Sequence, residues 1–234
     1  MQEDIQTKEP VNNFPIQEKV CWDYEPGSMY LHAFAALLSL VFSIFLIIKS
    51  ISFDVYYIVG FCVFGFSLFF LYVMSAVYHL IPEHAPRGKK WMQRMDHVGI
   101  FVLIASTYTP LCLTVLRGAL GWTLLGIIWA IAIIGSSLKL SGVRLPAWMP
   151  GTIYAVMGWL GIFAILPLYH AIGSGGILWL IIGGLLYTTG IIFFALGEFR
   201  PKPRWFGMHE VFHIFVMAGS AAHVYMLWRY VLMQ

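Results

Sequence analysis

Val55-Tyr-Tyr-Ile-Val-Gly-Phe-Cys-Val-Phe-Gly-Phe-Ser-Leu-Phe-Phe-Leu-Tyr-Val-Met-Ser-Ala-Val-Tyr-His-Leu-Ile81 decides the fold. No Asp, Glu, Lys or Arg falls between Asp54 and Glu83. About 20 consecutive apolar residues are enough to cross a bilayer as a helix, because every backbone N–H and C=O is then satisfied inside the segment. This stretch exceeds that length.

Six further runs of the same kind flank it. With the first they predict spans over residues 29–48, 55–81, 97–116, 118–138, 150–169, 177–196 and 207–230. The third and fourth are separated by an Arg117-Gly118 turn, and Pro110 inside the third marks a candidate kink. The expected fold class is an all-α integral membrane protein, a seven-transmembrane helix bundle occupying residues 29–234. Residues 1–28 are polar and hold Pro10, Pro15 and Pro26. They predict a flexible tail with no signal peptide.

Composition agrees. The 234 residues are 60% hydrophobic and only 11% charged, and eight of the charged residues sit in residues 1–28. A soluble domain carries about a quarter charged residues. The net charge of +3 is small and dispersed, which argues against a nucleic-acid partner and leaves membrane lipids as the expected one. Cys21, Cys62 and Cys112 have no CxxC spacing and suggest neither a disulfide framework nor a thiolate metal site. There is no phosphate-binding Gly-rich loop, no G-x-S-x-G elbow and no internal repeat.

Lys and Arg concentrate on the cytoplasmic side of membrane proteins. Lys8, Lys19, Arg87, Lys89, Lys90, Arg94, Lys139, Arg144, Arg200, Lys202 and Arg204 fall on one predicted side, and Lys49, Arg117 and Arg229 on the other. Eleven against three predicts a cytoplasmic N-terminus and an external C-terminus; the expected location is the plasma membrane. Arg87-Gly-Lys-Lys90 is expected to be a solvated loop facing lipid headgroups.

Ionisable residues within membrane spans are costly and mark functional sites. Ser75 and His79 lie four apart on one helical face. Asp96 opens the third span, and His209 and His213 form a second i, i+4 pair in the first turns of the seventh. All five fall at the predicted cytoplasmic end. Three imidazoles with one open position suit a catalytic Zn²⁺, and zinc lowers the pKa of bound water to about 7. His79, His209 and His213 are the candidate ligands. Asp96 is placed to accept or orient a proton, and Ser75 to hydrogen-bond the water or a substrate oxygen. His209-Glu-Val-Phe-His213 also spells H-E-x-x-H, in which Glu210 would be the base of a metalloprotease; the alternative is that Glu210 faces the headgroups or pairs with Arg204 or Lys202. His223, about 15 Å further along the helix, cannot share that metal and is expected to be structural. Tyr56, Trp122, Trp148 and Trp228 suit interfacial anchors.

Four stretches carry a resemblance. They are Ser75-Ala-Val-Tyr-His79, Met95-Asp96-His97 leading to Ala105-Ser-Thr-Tyr-Thr-Pro110, His209-Glu-Val-Phe-His213, and Gly219-Ser-Ala-Ala-His223. With these, residues 25–230 resemble the hemolysin III family, bacterial relatives of the progestin and adipoQ (adiponectin receptor-like) receptors. The resemblance implies a seven-helix bundle with a cytoplasmic N-terminus. It implies zinc held by residues matching His79, His209 and His213, with Asp96 interacting with the zinc-bound water and Ser75 beside it. The wider superfamily includes alkaline ceramidases, which cleave a lipid amide. A related bacterial pattern has Glu, Asn and His at the start of helix 1. Here Glu25 and His32 keep the seven-residue spacing, Ser28 stands in the middle, and the pair is expected to make a structural polar contact.

The leading expectation is therefore a zinc-dependent hydrolase of a lipid amide or ester, with a ceramide-like substrate. The alternatives are a receptor or stress sensor with structural zinc, a pore-forming haemolysin and, with less support, an intramembrane metalloprotease.

Overall fold

The computed structural model describes residues 25–143, 145–146, 148–197 and 205–233. Among these the regular structure is helical throughout: α1 Pro26–Ser50, α2 Val55–Leu80, α3 Pro86–Leu113, α4 Ala119–Ser141, α5 Trp148–Trp159, α6 Ile165–Gly197 and α7 Met208–Leu227. A 3₁₀ turn, Leu160–Ala164, joins α5 to α6, and a π turn, Trp228–Leu232, extends α7.

The starts follow from local chemistry. Pro26 and Pro86 occupy the first turns of α1 and α3, where a missing N–H costs nothing. Asp54 caps α2, its Oδ1 accepting from the N–H groups of Tyr56 at 3.0 Å and Tyr57 at 3.4 Å. Gly118 turns the chain between α3 and α4 with φ 123°, a conformation that favours glycine.

Among the described residues six helical runs are long and apolar enough to cross a membrane, one fewer than the sequence predicts. The difference lies in Trp148–Gly197, a continuous 50-residue run that contains both predicted spans 150–169 and 177–196. A straight helix of that length would extend roughly 75 Å, more than twice a bilayer core. The run instead breaks at Gly173 (φ 68°, ψ 179°). Trp159 Nε1 then donates to Thr188 Oγ1 at 3.0 Å, and Gly151 lies against Ile191, so the two halves lie side by side in opposed directions.

Two further expectations are corrected. α1 takes in residues 26–28 of the predicted tail, while residues 1–24 lie outside the described residues. Residues 86–96, predicted as loop, are the first three turns of α3, which then runs unbroken through Pro110. Lys89 in that segment is buried rather than solvated. Its Nζ donates to the carbonyl of Ile81 at 3.1 Å and stands 4.6 Å from the Tyr78 ring centre. Arg94 reaches across to the C-terminus of α4, donating to Leu140 O at 3.0 Å.

Small residues let the helices approach closely, as expected where lipid supplies no hydrophobic drive for association. Ser43 Oγ donates to Gly65 O at 3.0 Å between α1 and α2, Gly60 abuts Pro110 of α3, and Gly219 abuts Tyr187 of α6. α7 packs on both α6 and α1. The outer surface is apolar: Phe66, Phe163 and Leu166 are at least two-thirds exposed, and Tyr56, Trp122 and Trp148 stand exposed near helix ends.

Candidate metal centre

The helix order brings the start of α1, the end of α2, the start of α3 and the start of α7 to one end of the bundle. His79 sits in the last turn of α2, and His209 and His213 in the first two turns of α7. Their ring centres are 5.2 Å (His79–His209), 5.0 Å (His79–His213) and 4.4 Å (His209–His213) apart. One ring nitrogen from each lies within 4.8 Å of the other two. His79 and His213 are buried, at 1% and 2% exposure.

Two features favour a cation. His79 Nε2 and both ring nitrogens of His213 are buried and bear no hydrogen bond, which is costly unless something else engages them. The other nitrogen of His79 is taken: Nδ1 lies 2.5 Å from Glu25 Oε2. Metal-bound histidines are characteristically held this way by a carboxylate. The donor set fits a zinc-sized ion.

Ser75, one turn before His79, is fully buried. Asp96 is half-buried on α3 and interacts with Ser75 and His79 across the α2–α3 contact. The sequence-derived group of five therefore meets in one layer.

Glu25 and His32 depart from expectation, because both belong to this layer. Glu25 is the residue before α1, and its N–H donates to the carbonyl of His79 at 3.2 Å. The hydrogen bond to His79 outweighs burial and pulls the Glu25 carboxyl down to about 2. His32, two turns into α1, is 3% exposed. Its ring centre is 3.9 Å from that of His213 and 5.2 Å from that of Tyr72, and both its nitrogens lack partners. The seven-residue spacing predicted the shared face but not what it faces.

Glu210 is also corrected. It is buried at 5% exposure rather than facing headgroups. Oε1 accepts from Ser28 Oγ at 2.7 Å and Oε2 from the N–H of Gly207 at 2.8 Å. It caps α7 and ties it to α1, so its two oxygens are spent on structure rather than held for a metalloprotease's base chemistry. The expected partners Arg204 and Lys202 lie outside the described residues. Gly27 next door cannot carry a side chain, since a Cβ there would meet Trp205 O at 2.0 Å. His223 lies away from the cluster, against α6, with Nε2 3.4 Å from Leu180 O.

Beyond the centre, α1, α2 and α7 enclose a groove of about 460 Å³. It is lined mainly by apolar side chains, including Phe42, Leu68 and Trp228, and Tyr72 and Ser220 supply hydroxyls bonded to each other at 2.7 Å.

Comparison with known proteins bears on this arrangement. The family model described as "Haemolysin-III related" matches residues 20–224. Hemolysin-3 of Bacillus cereus is 43% identical over 209 residues, covering 89% of this chain and 92% of that protein. The Hemolysin-3 homolog of Bacillus subtilis (strain 168) is 38% identical over 210 residues, covering 89% and 92%. The human monocyte to macrophage differentiation factor is 24% identical over 213 residues, covering 90% and 85%. The apolar helices, the matching family model and these relatives together identify the chain as a multi-pass membrane protein of the haemolysin III family, related to the adiponectin receptor-like proteins.

Proposed function

We propose that this protein is a zinc-dependent hydrolase of a lipid amide or ester, built on seven membrane crossings with its N-terminus in the cytoplasm. The reading rests above all on three imidazoles whose ligand atoms converge within 4.8 Å, with buried, unbonded ring nitrogens on His79 and His213. The seventh crossing is counted from the fold-back at Gly173. The orientation follows from the distribution of Lys and Arg, and the plasma membrane is the proposed location.

His79, His209 and His213 would hold the zinc. When bound, the ion supplies Lewis-acid polarisation of a carbonyl and lowers the pKa of water toward neutrality. Asp96 accepts the proton that attack on the carbonyl releases and returns it to the departing amine or alkoxide. Ser75, buried one turn before His79, donates to the carbonyl oxygen as negative charge grows there. The lipid character of the substrate is supported by the apolar groove beside the centre and by the long apolar helices that carry the layer.

The direct test is turnover of ceramides and related lipid amides by purified protein, with His79→Ala, His209→Ala and His213→Ala as controls. Turnover that survives any of the three would reject the mechanism.

A second reading is a receptor or sensor with structural metal. It is favoured by His32, a fourth buried imidazole 3.9 Å from His213 that could complete a closed coordination shell. No substrate would then be consumed.

A further inference from the structure

Glu25 precedes the first helix and stands outside the three-imidazole set, yet it reaches that set by two bonds. Its carboxylate Oε2 is 2.5 Å from His79 Nδ1, and its main-chain N–H donates to the His79 carbonyl at 3.2 Å. The second bond satisfies one of the carbonyls that the end of α2 leaves without a helical partner. It fixes Glu25 over His79 whatever side chain residue 25 carries. The first bond does more. With a proton on Nδ1 donated to Glu25, the ring presents Nε2 as a lone pair, and Nε2 is the buried nitrogen that bears no hydrogen bond.

Charge points the same way. Three neutral imidazoles leave the two positive charges of a divalent ion uncompensated in a weakly polar interior. Asp96 brings one carboxylate from α3, and Glu25 brings another from the residue before α1, behind His79. The positive charge of Lys89, from the start of α3, also favours the ionised form of Glu25.

We propose that Glu25 is the positioning residue of the metal centre: it holds His79 in the tautomer that binds the ion and partly neutralises the charge of the loaded site. This rests on the reading of the three histidines as metal ligands. It makes the start of α1 part of the centre, so an event that displaces residue 25 would loosen the metal.

The experiment is competition for Zn²⁺ between a chelator and the full-length chain in detergent, comparing wild type, Glu25→Gln and Glu25→Ala. Thermal midpoints are taken with and without metal. Loss of an outer-shell carboxylate characteristically weakens metal binding about 10–100-fold. We expect a loss in that range for Glu25→Ala and a smaller one, still several-fold, for Glu25→Gln. The metal-loaded midpoint should fall while the metal-free midpoint stays put. Unchanged affinity in both variants would overturn the proposal, leaving Glu25 as a tie between α1 and α2. So would an equal drop in both midpoints, or a Glu25→Gln protein that does not fold, since the isosteric variant keeps every atom except the charge-bearing oxygen. A wild-type chain that takes up no zinc would overturn the metal reading itself, an outcome distinct from wild type and variants binding alike.

Discussion

The Ser28 hydroxyl donates to Glu210 Oε1 at 2.7 Å, joining residues 182 positions apart and fastening the first turn of α1 to the first turn of α7. The α7 turn carries His209, and His213 follows one turn on, so the geometry of the candidate metal centre depends on this bond.

Breaking it should destabilise without abolishing chemistry. Ser28→Ala leaves a buried carboxylate oxygen unmet, at a cost of about 1–3 kcal/mol. Unfolding in detergent should register that loss. Glu210→Gln should retain metal and most turnover. If Glu210→Gln instead removed turnover with stability and metal content intact, Glu210 would be a base after all and the metalloprotease reading would return.

Asp96 separates binding from chemistry. Asp96→Asn preserves shape and should keep one metal per chain, while turnover of a lipid amide falls about 10²–10⁴-fold, the usual worth of a general acid–base group. Turnover near the wild-type level would remove Asp96 from the mechanism.

His32 distinguishes the two proposed functions. With three protein ligands and an open position, His32→Ala keeps stoichiometric zinc. With a closed set of four imidazoles, the same substitution releases the metal at chelator concentrations that wild type survives. Titration of both proteins with one chelator decides between them.

At the opposite end of the bundle, Arg117 Nη2 pairs with Asp54, and this pairing, more than the Tyr56 and Tyr57 N–H groups, holds the Asp54 carboxyl below its ordinary value of 3.8. A carboxyl whose folded pKa is depressed contributes stability above its unfolded pKa and loses it as pH falls through the folded value. The thermal midpoint of wild type should therefore exceed that of Asp54→Asn near neutral pH. The gap should close below about pH 4, the unfolded carboxylate range. Because both side chains are 45% exposed, the gap should be small and shrink with added salt. A gap that persisted at low pH would assign the effect to helix capping alone.

Much of this was legible in the sequence because bilayer physics is severe. Long uncharged runs have few solutions, and His79, Asp96, His209 and His213 were conspicuous as polar groups that a membrane helix carries only for a reason. The start of α3 was not legible, since Arg87 to Arg94 read as a polar loop and their helical pairing with the ends of α2 and α4 is a tertiary matter. The fold-back at Gly173 was expected only as a gap between two spans. Glu25 and His32 were visible as one face of one helix, but their partners lie on α2 and α7, and no spacing within α1 names them. For Glu210 the H-E-x-x-H pattern pointed to catalysis, whereas Ser28 and Gly207 claim both of its oxygens.

The most direct test of the central claim is metal content by plasma mass spectrometry on detergent-purified protein, with His213→Ala alongside wild type. About one zinc per chain is expected in wild type, the occupancy of a single tetrahedral site, and its loss in the variant. Wild-type protein prepared without chelator and carrying no zinc would contradict it.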